Sequence, residues 1–210
     1  MNKKEEFQKC FPDPQGLYHP DNEHDACGVG FICNLHGKKS HDIIHHALEI
    51  LVRLTHRGAC GCDPLTGDGA GILLQIPHAF YKKECEKLGI TLPAEQEYGT
   101  GLVFLPQDES DRKTCIGILE QAVEEEGQKL IGWRKVPTCN RLIGETARAS
   151  EPHIMQVFIG RGKGVTDPRT FDRMLYIIRK VAENRIFHSD LKNKADFYIP
   201  TLTCRIIIYK

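Results

Sequence analysis

An α/β fold of two or three layers is predicted by this sequence, because strand-like and helix-like segments alternate along its 210 residues. About six short runs of alternating or continuous apolar residues indicate strands. About four longer segments place apolar residues at helical spacing. The connections between these segments vary in type, so the pattern does not indicate a purely parallel sheet.

The predicted strands are short, as expected for buried or half-buried strands of a globular domain. The first alternates larger apolar residues with smaller or polar ones, whereas the second is almost continuously apolar. In chain order the predicted strands are Val29–Leu35, Ile72–Ile76, Leu102–Leu105, Leu130–Val136, Ile154–Ile159 and Phe197–Tyr209.

Capping residues mark the predicted helices. Ser40 can cap a helix that runs to about Thr55, and Gly58 follows it as a stop signal. Proline is favoured in the first turn of a helix and glycine just after the last. The other helices therefore run from Pro77 to Gly89, from Asp108 or Ser110 to Gly127, and onward from Pro168.

Composition and charge exclude several classes of function. The 28 Lys and Arg balance 28 Asp and Glu, and 40% of the residues are hydrophobic. Zero net charge argues against binding to nucleic acid or to an anionic membrane, which both favour basic surfaces. No apolar run approaches the roughly 18 residues of a membrane helix. Nine cysteines without a spaced framework indicate reduced thiols in a cytoplasmic protein.

The two ends of the chain differ from the rest. Residues 1–26 contain three lysines, six acidic residues and three prolines, without the apolar core of a secretory signal. This segment is either a poorly ordered terminus or a segment that is removed. At the other end, the apolar run 205–210 has no turn or cap after it. Truncation of a longer domain and a natural terminal strand both fit that ending.

Three motifs could carry chemistry, but their residues favour structural roles. His41 and His45 lie four residues apart and could share a metal, but a solvated helix face explains them better. Cys60 and Cys62 form a C-x-C pair with no second pair to complete four ligands. The glycine-rich run 67–71 precedes a strand, whereas a phosphate-binding loop follows one, so a tight turn is the better interpretation.

Cys27 lies where the acidic segment meets the first predicted strand. Gly28 and Gly30 follow it and would allow the backbone of a partner segment to approach closely. Most cysteines in such a position pack in a core, and a smaller share act in catalysis. The residues alone leave both alternatives open.

Five ordered blocks change that balance. The blocks are Asp25–Phe31, Leu54–Ala59, Thr66–Ile72, Gly132–Thr138 and Asp196–Leu202. Together they resemble the amino end of the glutamate synthase large chain, and the resemblance covers nearly all of residues 17–210.

The resemblance implies an α+β fold, the four-layer αββα sandwich of the N-terminal-nucleophile hydrolases, incomplete in this chain. Residues 1–26 would be a propeptide, and residues 27–210 the truncated amino-terminal part of a class II glutamine amidotransferase domain. Cys27 would be the catalytic nucleophile. Arg57 and the run 67–71 are typical of the family, and we interpret them as scaffold rather than as contacts to glutamine.

The family's remaining machinery is expected outside this segment. No cofactor or metal is expected here, whereas FMN and an iron–sulfur cluster are implied for the full-length enzyme. The Asn-Gly pair that supplies oxyanion donors in the family does not occur in the sequence, so we expect the isolated segment to be inactive.

The implied partners are L-glutamine, the downstream synthase domains of the same chain, and an electron-donor subunit or ferredoxin. No nucleic acid and no membrane is expected among them. Two alternatives stay open. One is a class II amidotransferase that serves another acceptor, which the block Thr66–Ile72 disfavours. The other is a non-catalytic α/β fragment with a packed Cys27.

Overall fold

The computed structural model describes residues 13–16, 19, 28–55, 65–67 and 69–210. The chain divides into two compact units, residues 1–59 and residues 60–210. Cys27, Arg57, Cys60, Cys62 and Asp68 lie outside the described residues.

The first unit is built around helix α1 (His41–Arg53), which confirms the predicted helix. A tight turn precedes it, in which the Asn34 side chain accepts hydrogen bonds from the backbone amides of His36 and Lys38. Gly37 closes this turn with φ of 67°, a conformation that glycine adopts without strain.

The predicted strand over Val29–Leu35 is wrong. Residues 28–34 have no regular secondary structure, and Leu35 lies in a turn. The side chains of Val29, Phe31 and Leu35 are 92%, 89% and 93% exposed. A strand requires a hydrogen-bonded neighbour, and no segment within the described residues forms a ladder with this one.

The second unit mixes helices with antiparallel strands, and its elements follow the predicted order. The strands are β1 (Ile72–Gln75), β2 (Tyr98–Leu105), β3 (Lys129–Lys135), β4 (His153–Gly160) and β5 (Ile206–Tyr209). The helices are α2 (His78–Glu86), α3 (Glu109–Glu125), α4 (Glu145–Ala149) and α5 (Pro168–Phe187), with a 3-10 turn at Lys194–Asp196.

The strands of this unit form two antiparallel sheets. Strands β2, β4 and β3 make a three-stranded sheet in that order, with a register shift in β3 between Leu130 and Gly132. Strands β1 and β5 pair separately. The predicted strand Phe197–Tyr209 is therefore strand only from Ile206. Before that it is irregular, and its bridges from Tyr198 and Thr203 border β2.

The largest core lies between the three-stranded sheet and helices α3 and α5. Val157 points into this core, whereas its neighbour Phe158 packs in a second cluster with residues of α2. Successive residues of a strand face opposite sides of a sheet, so the sheet is covered on both faces. Buried members of the first cluster include Val103, Leu119, Phe171, Leu175 and Ile178.

The predicted helix caps are confirmed in part. Asp108, rather than Ser110, caps α3 by accepting from the Asp111 amide. Helix α5 starts at Pro168 as predicted, and Asp167, which was not predicted, caps it. Ser40 precedes α1 but forms no side-chain capping hydrogen bond. Strand β2 begins four residues earlier than predicted. Gly101 lies in that strand, where a Cβ would come 2.2 Å from the backbone oxygen of Thr201. The short helix α4 was not predicted.

Candidate functional site

The segment that follows the predicted nucleophile packs directly on helix α1. A Cβ on Gly28 would lie 2.9 Å from Leu54 Cδ2, and one on Gly30 would lie 2.5 Å from Ile50 Cγ2. Real Cβ atoms do not approach other atoms so closely, so glycine is what lets this backbone pass so near the helix. The partner that the two glycines were predicted to approach is therefore α1.

The two histidines of the H-x-x-x-H spacing lie on the exposed side of α1. His41 and His45 are both exposed, and His46 lies 3.7 Å from Glu49 through its Nδ1. Among the residues that the structure describes, no group of three His, Cys, Asp or Glu side chains could hold a metal ion. The geometry matches the solvated helix face favoured from the sequence.

The glycine-rich run leads into β1. Gly71 lies so close to the end of β5 that a Cβ there would be 3.1 Å from the backbone oxygen of Tyr209. Two residues before the run, the chain is tied to the N-cap of α4, since the Gly144 amide donates to the oxygen of Leu65 at 3.0 Å. The described part of the run and the residues before it thus contact β5 and the start of α4. Its interpretation as scaffold rather than as a contact to glutamine stays a prediction.

Three cysteines of the second unit are unsuited to nucleophilic chemistry. Cys85, Cys115 and Cys204 are free and buried. Burial raises the pKa of all three thiols, to about 11 for Cys115 and about 12 for Cys204. The thiolate is the reactive form, so these side chains stay protonated and inert near neutral pH.

A buried network of hydrogen-bonded side chains crosses the three-stranded sheet, and it was not predicted from the sequence. Gln156 donates to Thr100 Oγ1 at 3.0 Å and accepts from Arg134 Nη1 at 3.2 Å. Arg134 also lies 3.6 Å from Glu84 of α2 and stacks over Phe80. The available signal was a polar residue at an inward position of each of three apolar strands.

A second polar contact, beside this network, ties β5 to α2. The hydroxyls of Tyr81 and Tyr209 are 2.6 Å apart. Burial raises the pKa of both phenols, so both remain neutral donors and acceptors. Together with the contact of Arg134 to Glu84, this hydrogen bond holds α2 between β3 and β5. These groups are bound to one another, which indicates a structural role.

The comparison with protein families decides the assignment. The family described as glutamine amidotransferases class-II matches residues 27–210. The chain belongs to this family. The match begins at Cys27, the residue predicted to be the nucleophile, and leaves out the acidic segment before it.

Individual relatives of this amidotransferase chain agree with the family. The chain is 47% identical over 95% of its length to the glutamate synthase (NADPH) large chain of Bacillus subtilis. It is 40% identical over 97% of its length to the glutamate synthase (NADH) of Saccharomyces cerevisiae. It is 36% identical over 90% of its length to the ferredoxin-dependent glutamate synthase 2 of Synechocystis.

The chain spans only a small part of these relatives. It covers 13% of the Bacillus protein, 10% of the yeast protein and 12% of the Synechocystis protein. The shared region is the amidotransferase part, as predicted from the five sequence blocks. Within the described residues, no helix is both long and apolar enough to cross a lipid bilayer.

Proposed function

We propose that this chain is the glutaminase part of a glutamate synthase. It would hydrolyse glutamine through Cys27 and release ammonia for the reductive synthesis of glutamate from 2-oxoglutarate. The observation that supports this most directly is the family match that begins at Cys27. The names of the three relatives described above add support, because each of them is a glutamate synthase.

Removal of residues 1–26 is the first step of the proposed mechanism. Cleavage between Ala26 and Cys27 turns a peptide nitrogen into a free α-amine, whose ordinary pKa is about 8. At neutral pH part of this amine is unprotonated and accepts the proton of the adjacent thiol. The propeptide therefore keeps the nucleophile inactive until it is removed.

The thiolate of Cys27 then attacks the side-chain amide carbon of glutamine. The proton held by the α-amine passes to the leaving nitrogen, the C–N bond breaks, and ammonia departs. The product is a γ-glutamyl thioester, and water attacks its carbonyl carbon to release glutamate and restore the thiol. Each half of the cycle passes through a tetrahedral intermediate, whose stabilisation by one oxyanion donor is typically worth about 3 kcal/mol.

The close contacts of Gly28 and Gly30 with α1 have a place in this mechanism. They place the backbone immediately after the nucleophile beside a helix. This proximity would limit the movement of that backbone. An N-terminal nucleophile has no preceding chain to position it, so the following residues must do so. We assign α1 the role of the support on which this segment rests.

Two finer structural features belong to the same proposal. Residues 1–26 form the propeptide, and residues 27–210 form part of an amidotransferase domain. That domain would be a four-layer αββα sandwich of the N-terminal-nucleophile hydrolase type. The antiparallel strands and the helices packed on the three-stranded sheet support mixed α+β content.

Ligands and partners are proposed for the whole enzyme. L-glutamine binds to this domain, and ammonia passes to downstream synthase domains that carry FMN and an iron–sulfur cluster. The donor of electrons is NADPH, NADH or ferredoxin, the three that the relatives' names contain. We propose a cytoplasmic location.

Substitution of the nucleophile in the full-length protein tests this proposal. Cys27→Ala should abolish glutamine-dependent glutamate formation and leave ammonia-dependent formation intact, because only the first requires the thiol. Cys33→Ala is the matched control, since Cys33 is an exposed cysteine six residues further along the chain. Equal loss of both activities in Cys27→Ala would show that Cys27 is structural.

The intact mass of the same preparations tests the role of the amine. The wild-type protein should lack its first 26 residues and begin at Cys27. An active protein that still begins at Met1 would contradict the amine as base, because its nitrogen at position 27 would be an amide.

A further inference from the structure

A cleft lies at one end of the three-stranded sheet. Its volume is about 580 Å³, within the roughly 300–1,000 Å³ of sites for small molecules. Three segments enclose it: the turn after α2, the start of β3, and the turn that follows β4. All of them belong to the second unit of the chain.

Charge in this cleft is unbalanced. Lys129, Arg161 and Lys163 line it together with one carboxylate, that of Glu97. Glu97 is already paired, since its Oε1 lies 3.3 Å from Arg161 Nη2. Within residues 69–210, neither Lys129 nor Lys163 forms an ion pair. Two positive charges therefore remain unneutralised at the cleft of a chain whose net charge is zero.

The two lysines are carried on turns that hold each other in place. Gly162 lies so near the turn before β3 that a Cβ there would be 2.1 Å from the oxygen of Gly127. The Gly162 amide also donates to Gln128 Oε1 at 2.9 Å. Since Lys129 and Lys163 directly follow these contacts, their backbones are set before any ligand arrives. Less ordering is then required when an anion binds.

The guanidinium of Arg161, the third cation of the cleft, is held as well. Arg161 Nη1 donates to the oxygen of Thr166 at 3.3 Å, while Nη2 contacts Glu97. Its side chain is only 22% exposed. The remaining lining includes aliphatic side chains, those of Ile90, Leu130, Ile131 and Val165. An apolar lining beneath unneutralised cations suits a small carbon skeleton that carries negative groups.

We propose that this cleft binds a small organic anion with two negative charges. Dicarboxylates and phosphate monoesters share this chemistry. The two free lysines would meet the two charges, and the aliphatic lining would contact the carbon skeleton.

Protection of individual lysines from acetylation in the full-length protein tests the proposal. Peptide mapping by mass spectrometry gives a separate rate for Lys129, Lys163 and Lys135. Lys135 is the internal control, because it is an exposed lysine at the other end of the same strand. Glutarate and glycerol 3-phosphate are the probes, and sodium chloride at equal ionic strength accounts for screening.

With a Kd near 1 mM, a probe at about 5 mM should slow acetylation of Lys129 and Lys163 about sixfold. Acetylation of Lys135 should stay at the rate found in sodium chloride. Protection by glutarate alone identifies a carboxylate ligand, and protection by glycerol 3-phosphate alone a phosphate ligand. Lys129→Gln should lower the protection of Lys163. No protection by either probe, or equal slowing at Lys135, would overturn the proposal.

Discussion

Helices α1 and α5 carry the same kind of apolar pattern but differ completely in burial. Helix α5 buries five residues against the sheet, namely Phe171, Leu175, Ile178, Ala182 and Ile186. Helix α1 buries none, and its Leu48 and Val52 are 47% and 70% exposed. Helical spacing of apolar residues thus predicts where a helix forms, without telling which side chains the fold covers.

Strand-like segments of the two units differ in the same way, as residues 28–35 and strand β4 show. Residues 28–35 alternate as a strand would, yet they form no ladder in the described part of the chain. Strand β4 has a less regular alternation, but it pairs on both sides and buries its second half. A strand depends on hydrogen bonds to other segments, whereas a helix makes its own. This is why the helical prediction in the first unit was confirmed and the strand prediction was wrong.

The largest expected change in the free energy of unfolding comes from truncating a core residue, with an exposed residue for comparison. Leu119 of α3 is fully buried, so Leu119→Ala should lower the free energy of unfolding by about 2–5 kcal/mol. Val52→Ala on α1 should change it by less than about 0.5 kcal/mol. Urea unfolding of both variants measures the difference. A cost above about 1 kcal/mol for Val52→Ala would show that the α1 face is covered in the protein tested.

A smaller change in the free energy of unfolding is expected when the pH rises, because the second unit buries thiols. Burial raises the pKa of the Cys115 thiol to about 11, so the folded chain keeps a proton that the unfolded chain loses above about pH 9. The free energy of unfolding contributed by this group is fully present below that pH and falls as pH rises toward 11. Cys204 and Tyr209, whose pKa values are also raised, act in the same direction.

Urea unfolding at several pH values between about 7 and 11 measures this dependence. Cys115→Ala should make the decline with pH less steep, and Cys33→Ala, which removes an exposed thiol of the first unit, is the control. An unchanged slope in Cys115→Ala would contradict the raised pKa of that thiol.

Sequence patterns predicted the helices better than the sheet. Asp108 and Pro168 mark helix starts through a local hydrogen bond and a fixed φ angle, which need no distant partner. The early start of β2 escaped prediction because Gly99 and Gly101 disfavour strands. They are tolerated there because neighbouring groups leave no room for a Cβ.

In the candidate site, too, features set by local sequence could be predicted and features set by distant contacts could not. Cys27 was selected by its motif, and the family match begins at that residue, but Cys27 itself lies outside the described residues. The hydrogen-bonded network of Thr100, Gln156 and Arg134 could not be predicted, because it joins residues on three strands that are far apart in sequence. A polar residue in an apolar strand indicates burial with a partner, but only the strand register identifies which partner.

The smallest expected changes in the free energy of unfolding come from replacing two glycines that have open space around them. Gly117 lies inside helix α3, and a Cβ there would meet nothing within 4 Å. Gly117→Ala should therefore raise the free energy of unfolding by about 0.5–1 kcal/mol, since alanine is the better helix former. Gly37 in the first unit also has open space, but its φ of 67° disfavours any Cβ. Gly37→Ala should lower the free energy of unfolding by about 1 kcal/mol. Stabilisation by both substitutions would show that space alone, rather than backbone conformation, decides the sign.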